Sequence, residues 1–150
     1  HEGKLRVLDK RARRAGVEGL RVEMWGDETP QRWAGWADRV LLDAPCSGLG
    51  TLSRQPDLKW RLSDERVESV RATQRELLAK SAKLVRPGGC LIYATCSVLP
   101  SENRAQAEWF LAEHPEWRLD GEEVIDPQVG GGDGFYVSRF SRAQSGMAKE

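Results

Sequence analysis

The chain has 150 residues, 23 Lys plus Arg balanced by 23 Asp plus Glu, and three cysteines at positions 46, 90 and 96. That length suits one domain with one core, the zero net charge excludes a chain-wide field that draws in nucleic acid, and apolar stretches of strand length exclude a membrane-spanning helix. An odd cysteine count without a C-x-x-C pair argues against a disulfide framework or a zinc cluster, so the expectation is a soluble, cytoplasmic protein with free thiols, no metal and no membrane contact.

The opening segment HEGKLRVLDKRARRAG lacks the apolar core of a signal peptide. Leu5, Leu8, Ala12 and Ala15 recur at helical spacing and Gly16 supplies a stop, which predicts an amphipathic first helix with a basic outer face. LRVEMW (20–25) alternates as a strand does and ends at Gly26-Asp27; RVLLD (39–43) is a continuous apolar run of the buried-strand type. Ser63, followed by Asp64 and Glu65, predicts the N-cap of a long helix running through Val67, Val70, Leu77, Leu78 and Ala82 to Leu84, where RPGG breaks it. CLIYATC (90–96) reads as the next buried strand. Pro100 and Ser101 introduce a further helix ending near His114-Pro115, and GFYVSRF (134–140) closes the chain's pattern as an alternating strand.

Strands separated by helices predict parallel βαβ units in a doubly wound α/β layout, whose ligands gather beyond the carboxyl ends of the strands. Asp27, Asp43 with Cys46, and Cys96 all fall just past a predicted strand end, so three stretches converge on one rim. A cysteine that leaves a strand into a polar turn lies near backbone N–H groups, which favour the thiolate. Two such thiols beside a carboxylate suit nucleophilic chemistry, whereas Cys90, at the start of its strand, reads as packing.

DAPCSGLGTLSRQPDLKWR (43–61), LIYATCSVLPSEN (91–103) and GGDGFYVSRF (131–140) resemble motif stretches of the RsmB/Sun-like RNA cytosine-5 methyltransferases (the Fmu and NOL/NOP/Sun group). The resemblance covers nearly the whole chain. It implies a Rossmann-like class I methyltransferase fold, S-adenosylmethionine as cofactor and RNA, ribosomal or transfer, as substrate. It also implies Cys96 as the nucleophile that attacks carbon 6 of cytosine, Cys46 as the thiol that assists release, and Asp43 as a catalytic carboxylate on the base edge. Asp27 corresponds to an acid beside the cofactor's adenine and Asp43 to one near its methionine end.

The family's fold places a glycine-rich cofactor loop after its first strand and a ribose-binding acid after its second, and this sequence contains neither. Its sheet order, 3-2-1-4-5 through the first part, would set two strands between 20–25 and 39–43. His1 falls where the helix after the second strand should begin. The expectation is therefore a truncated fold, the carboxyl-terminal portion of one catalytic domain. Its exposed sheet edges would pair with each other, associate with another copy or stay loosely packed, and the fragment alone would be inactive. The glycine run at 130–132 reads as a connector.

For RNA, Lys59 and Arg61 are placed to hold a backbone while Trp60 stacks on a base, and Arg54 to orient a phosphate near Cys46. Lys4, Arg6, Lys10, Arg11, Arg13 and Arg14 of the first helix read as a solvated face, and Trp33 and Trp36 as cover for the sheet. Two other readings compete. Thiol phosphatase or redox chemistry is disfavoured by the long Cys46–Arg54 separation and the missing C-x-x-C. A non-catalytic RNA-binding or scaffold fragment is kept open by the missing cofactor loop.

Overall fold

One mixed sheet organises the chain; a computed structural model describes residues 2–130 and 132–144, and the expected connector at 130–132 lies partly outside them. In chain order the elements are α1 (Glu2–Arg14), α2 (Thr29–Arg32), β1 (Ala37–Asp43), a 3-10 turn (Leu49–Thr51), α3 (Leu58–Arg61), α4 (Asp64–Leu84), β2 (Val85–Thr95), α5 (Arg104–Glu113), β3 (Trp117–Ile125), α6 (Pro127–Gly130) and β4 (Phe135–Arg142). The sheet order is β1-β2-β4-β3. β1 and β2 run parallel, while β4 is antiparallel to both β2 and β3. The expected parallel βαβ unit is β1–α4–β2, and β4 and β3 add antiparallel pairings that the sequence pattern does not predict. Among the described residues no helix is long and apolar enough to cross a membrane.

The long helix forms as its sequence signals predict: the Ser63 hydroxyl accepts the Arg66 N–H at 3.3 Å, and Asp64 and Glu65 lie in the first turn, where the helix dipole favours acids. α4 and α5 cover one sheet face. Leu91 and Tyr93 of β2, Tyr136 and Phe140 of β4, Leu78 of α4 and Phe110 of α5 are all within 1% of full burial there, with Val40 and Leu42 of β1 packed against them. Phe110 meets Phe140 edge-on at 5.0 Å.

The opposite face is bare among the described residues. Leu41 is 67% exposed, and Arg39, Cys90, Ile92 and Arg139 line an open trough of about 1290 Å³. β1 is accordingly buried on one face, not on both as its apolar run predicts.

Two further expectations are corrected, and one strand is added. Residues 20–25 form no strand. Arg21 lies 4.7 Å over the Trp33 ring, and Glu23 accepts hydrogen bonds from Trp33 Nε1 at 2.9 Å and Arg32 at 2.7 Å, so the segment is held by side chains and has no ladder. Trp36 does not cover the sheet, being 71% exposed beside Trp33. β3 is an additional strand: only Trp117 of its nine residues is buried, so its mixed, charged sequence carried no strand signal.

α1 forms as expected, yet none of its residues is buried; Val7 and Leu8 are about half exposed.

Candidate active site

Parallel pairing of β1 with β2 sets Asp43 opposite Ala94, so the chain leaves both strands at the same end of the sheet. The Ala44 N–H donates to the Ala94 carbonyl at 2.9 Å and prolongs the ladder by one step. The two cysteines follow at once, and their sulfurs lie 3.3 Å apart, each half-buried. Burial pushes the Cys46 thiol up from 9.0 to about 12, reinforced by the hydrogen bond and the charge of Cys96. Cys46 therefore keeps its proton at neutral pH and can donate it to a thiolate on its neighbour. Cys90 lies apart, in the trough of the bare face.

A buried polar cluster underlies the sulfurs. Glu102, fully buried, accepts the Ser47 N–H at 2.8 Å, the Ser47 hydroxyl at 2.5 Å, the Ser97 hydroxyl and the Gln74 side-chain amide at 3.3 Å. Asn103 accepts from the Thr95 hydroxyl at 2.6 Å and donates to the Ser97 carbonyl at 2.9 Å. Tyr93 donates to the Glu102 carbonyl at 2.6 Å, and burial raises its phenol far above the usual range.

The glycine-rich turn closes over this cluster. Gly48, at φ +75°, starts the 3-10 turn. The Gly50 N–H then donates to the Cys96 carbonyl at 2.9 Å, while the Gly50 carbonyl accepts the Gly134 N–H at 2.8 Å. A Cβ on Gly50 would collide with the Gly134 carbonyl and come within 2.8 Å of the Cys96 carbonyl, so only glycine fits between these backbones.

The remaining expected residues are dispersed. Asp43 is exposed at the end of β1, on the same sheet face as Leu41. Arg54 pairs with Asp133, Nε to Oδ1 at 3.0 Å, and that bond raises the guanidinium pKa, with a smaller contribution from the nearby Cys96 charge. Its partner Asp133 directly precedes Gly134, whose N–H bonds to the Gly50 carbonyl while the Gly50 N–H bonds to the Cys96 carbonyl, so this ion pair lies at the rim of the thiol site. Lys59, Trp60 and Arg61 form α3; Trp60 is 81% exposed with the Lys59 ammonium 5.0 Å over its ring, and Arg61 pairs with Asp57 at 2.7 Å. Asp27 follows no strand: it lies in the turn before α2, fully exposed, 3.7 Å from Lys80.

Glu102, Gln74, Asn103 and Asp133 join the site although the sequence pattern does not single them out. A Cys-Ser pair at both strand ends, 46–47 and 96–97, was the available signal that two matched loops share a partner.

The family model described as 16S rRNA methyltransferase RsmB/F matches residues 1–141. The ribosomal RNA small subunit methyltransferase B of Erwinia tasmaniensis is 41% identical over 129 residues, covering 79% of this chain and 30% of that protein. Its counterpart in Vibrio cholerae is 42% identical over 123 residues, covering 75% of this chain and 28% of that one. The crystal structure of PH0851 superposes with a TM-score of 0.89 at 31% identity, over 95% of this chain and 35% of the other. The chain spans less than a third of the length of these curated relatives. Matched along nearly its whole length and sharing their Rossmann-like class I fold, the chain belongs to the 16S rRNA methyltransferase RsmB/F family.

Proposed function

We propose that this chain is the carboxyl-terminal portion of the catalytic domain of an S-adenosylmethionine-dependent enzyme that methylates carbon 5 of cytosine in small-subunit ribosomal RNA. The observation that carries the reading is the 3.3 Å approach of two free thiols at the ends of adjacent parallel strands, one of them strongly disposed to stay protonated.

Carbon 5 of cytosine is a weak nucleophile. The Cys96 thiolate bonds to carbon 6, the ring's π electrons move toward nitrogen 3, which takes up a proton, and the Asp43 carboxylate accepts hydrogen bonds from the protonated base edge. Bound S-adenosylmethionine supplies an electrophilic methyl group on its sulfonium, toward which the activated carbon 5 is nucleophilic. A base then removes the proton from carbon 5, the Cys96–carbon 6 bond breaks, and its electron pair returns to sulfur. The Cys46 S–H, within hydrogen-bond reach of that sulfur, stabilises the departing thiolate.

The donor chemistry of this chain fits part of a cofactor site. Asp43, an exposed carboxylate at a strand's carboxyl end, suits the polar methionine end of the ligand. Asp27, which also faces Lys80, is assigned beside the adenine. Lys59, Trp60, Arg61 and Arg54 are assigned to the RNA; full display of the Trp60 ring suits stacking on a base.

The test is methyl transfer from labelled S-adenosylmethionine to 16S rRNA by this chain joined to the upstream segment of an RsmB relative, with the modified nucleoside identified by mass spectrometry. The expected product is 5-methylcytidine. Methylation of another atom, or RNA binding without transfer, would overturn the reading, the latter in favour of a binding fragment.

A further inference from the structure

A carboxylate shut away from water is an expensive choice for a packing position, because it must recover its lost hydration from donors or from a cation. Glu102 is fully buried and, among the described residues, its side-chain partners are two hydroxyls, a peptide N–H and an amide, with no cation among them. An apolar side chain would fill the same volume at lower cost. What an apolar side chain cannot do is accept hydrogen bonds from two separate loops at once.

Those loops are the two that carry the sulfurs. Oε2 accepts the hydroxyls of Ser47 and Ser97, which lie 3.1 Å from each other, and each serine directly follows one of the paired cysteines. Oε1 accepts the Ser47 N–H and the Gln74 amide, and Gln74 also donates to the Pro45 carbonyl at 2.9 Å. Cys46 is thereby bracketed on both sides. The neighbouring Asn103 brackets Cys96 in the same way, through Thr95 and Ser97. Glu102 also immediately precedes the N-cap residue of α5, where the helix dipole favours a negative charge.

We propose that Glu102 is a positioning residue that locks the Cys46 and Cys96 loops to each other and so sets the sulfur–sulfur separation. The inference deepens the methyltransferase reading and rests on it only for its purpose. In that reaction one sulfur must attack the base while the other stays within reach of it. Glu102 touches neither sulfur; it acts through the serines beside them.

The test reads the separation directly, through thiol–disulfide exchange of the 150-residue chain carrying Cys90→Ser. Oxidised glutathione takes two electrons from the thiol pair, giving the Cys46–Cys96 disulfide and two molecules of reduced glutathione, so the equilibrium constant measures how well the fold presents the two sulfurs to each other. Glu102→Ala is expected to lower that constant at least tenfold at a temperature where circular dichroism shows the fold fully populated. Glu102→Gln, which retains one acceptor oxygen, is expected to fall between. A purely structural role would lower the unfolding midpoint and leave the constant of the folded protein unchanged, and that result would overturn the proposal. Should Glu102→Ala fail to fold, Ser47→Ala and Ser97→Ala each remove one loop's hydroxyl while keeping the carboxylate. Either is expected to lower the constant threefold or more, and no change in both would overturn the proposal. The assay needs neither RNA nor cofactor. Intact exchange with no methyl transfer would refute the function alone, and unchanged exchange in the variants of an active enzyme would refute the role of Glu102 alone.

Discussion

Two thiols 3.3 Å apart hold one negative charge between them far more readily than two, because a second anion at that distance meets the first across a partly dehydrated gap. Burial, the hydrogen bond to Cys96 and its charge push the Cys46 thiol up to about 12. The roles of the pair are therefore unequal, and variants should separate them. In the enzyme joined to an upstream segment, Cys96→Ala is expected to cut methyl transfer by on the order of 10³-fold or more and to abolish covalent RNA adducts on denaturing gels. Adducts that persist would move the attack to Cys46. Cys46→Ala should instead let adducts accumulate, since the leaving thiolate loses its hydrogen-bond donor; normal turnover without accumulation would remove Cys46 from the reaction. The same proton has a consequence for stability. Below pH 9 both folded and unfolded chains hold it; above that the unfolded chain loses it while the folded chain keeps it. Stability should thus decline as pH rises from about 9 to about 12. Urea unfolding is expected to show a steeper decline in the wild-type chain than in Cys46→Ser, and equal slopes would contradict the placement of the proton.

At the level of elements, the site depends on three backbones meeting where a side chain cannot fit. Gly50 links the Cys96 carbonyl to the Gly134 N–H, stitching the turn after Cys46 to the loop after Cys96 and to the approach of β4. Gly50→Ala is expected to destabilise the chain by about 1–3 kcal/mol, because both crowding atoms belong to backbone and cannot rotate away. Chemical denaturation measures this; a loss below about 0.5 kcal/mol would mean that the loops part freely. The cysteine loops were legible in the sequence because each follows an apolar strand run and ends in a polar turn. Glu102 was not, since its donors come from the loops at 47 and 97 and from α4, which only the fold brings together. β3 was illegible for another reason: eight of its nine residues are not buried, so Arg118, Asp120, Glu122 and Glu123 mask the pairing that its backbone makes with β4. Residues 20–25 failed in the opposite direction. Alternation says which side chains would share a face, not whether a partner strand lies alongside, and Trp33 took Arg21 and Glu23 instead.

Across the whole molecule the two sheet faces are unequal. α4 and α5 bury one, while the other presents Leu41, Ile92 and the open trough to solvent, and the outer edge of β1 has no ladder partner among the described residues. A doubly wound sheet covers both faces, so the expectation of helices on either side is met on one side only. Exposed apolar surface of this kind, next to an unpaired edge, is a liability in an isolated chain and a docking surface in a longer one. If the remainder of a class I domain completes the sheet, it pairs with β1 and covers Leu41. Amides of β1 that point away from β2 should then exchange with solvent rapidly in the 150-residue chain, while those of β2, paired on both edges, stay protected. Joining an upstream segment from an RsmB relative should slow the β1 amides at least tenfold and leave β2 little changed. Slow exchange of the outward β1 amides in a dilute monomer of the chain alone would show that the edge is closed by some other pairing, and that completion from upstream is not what this sheet requires.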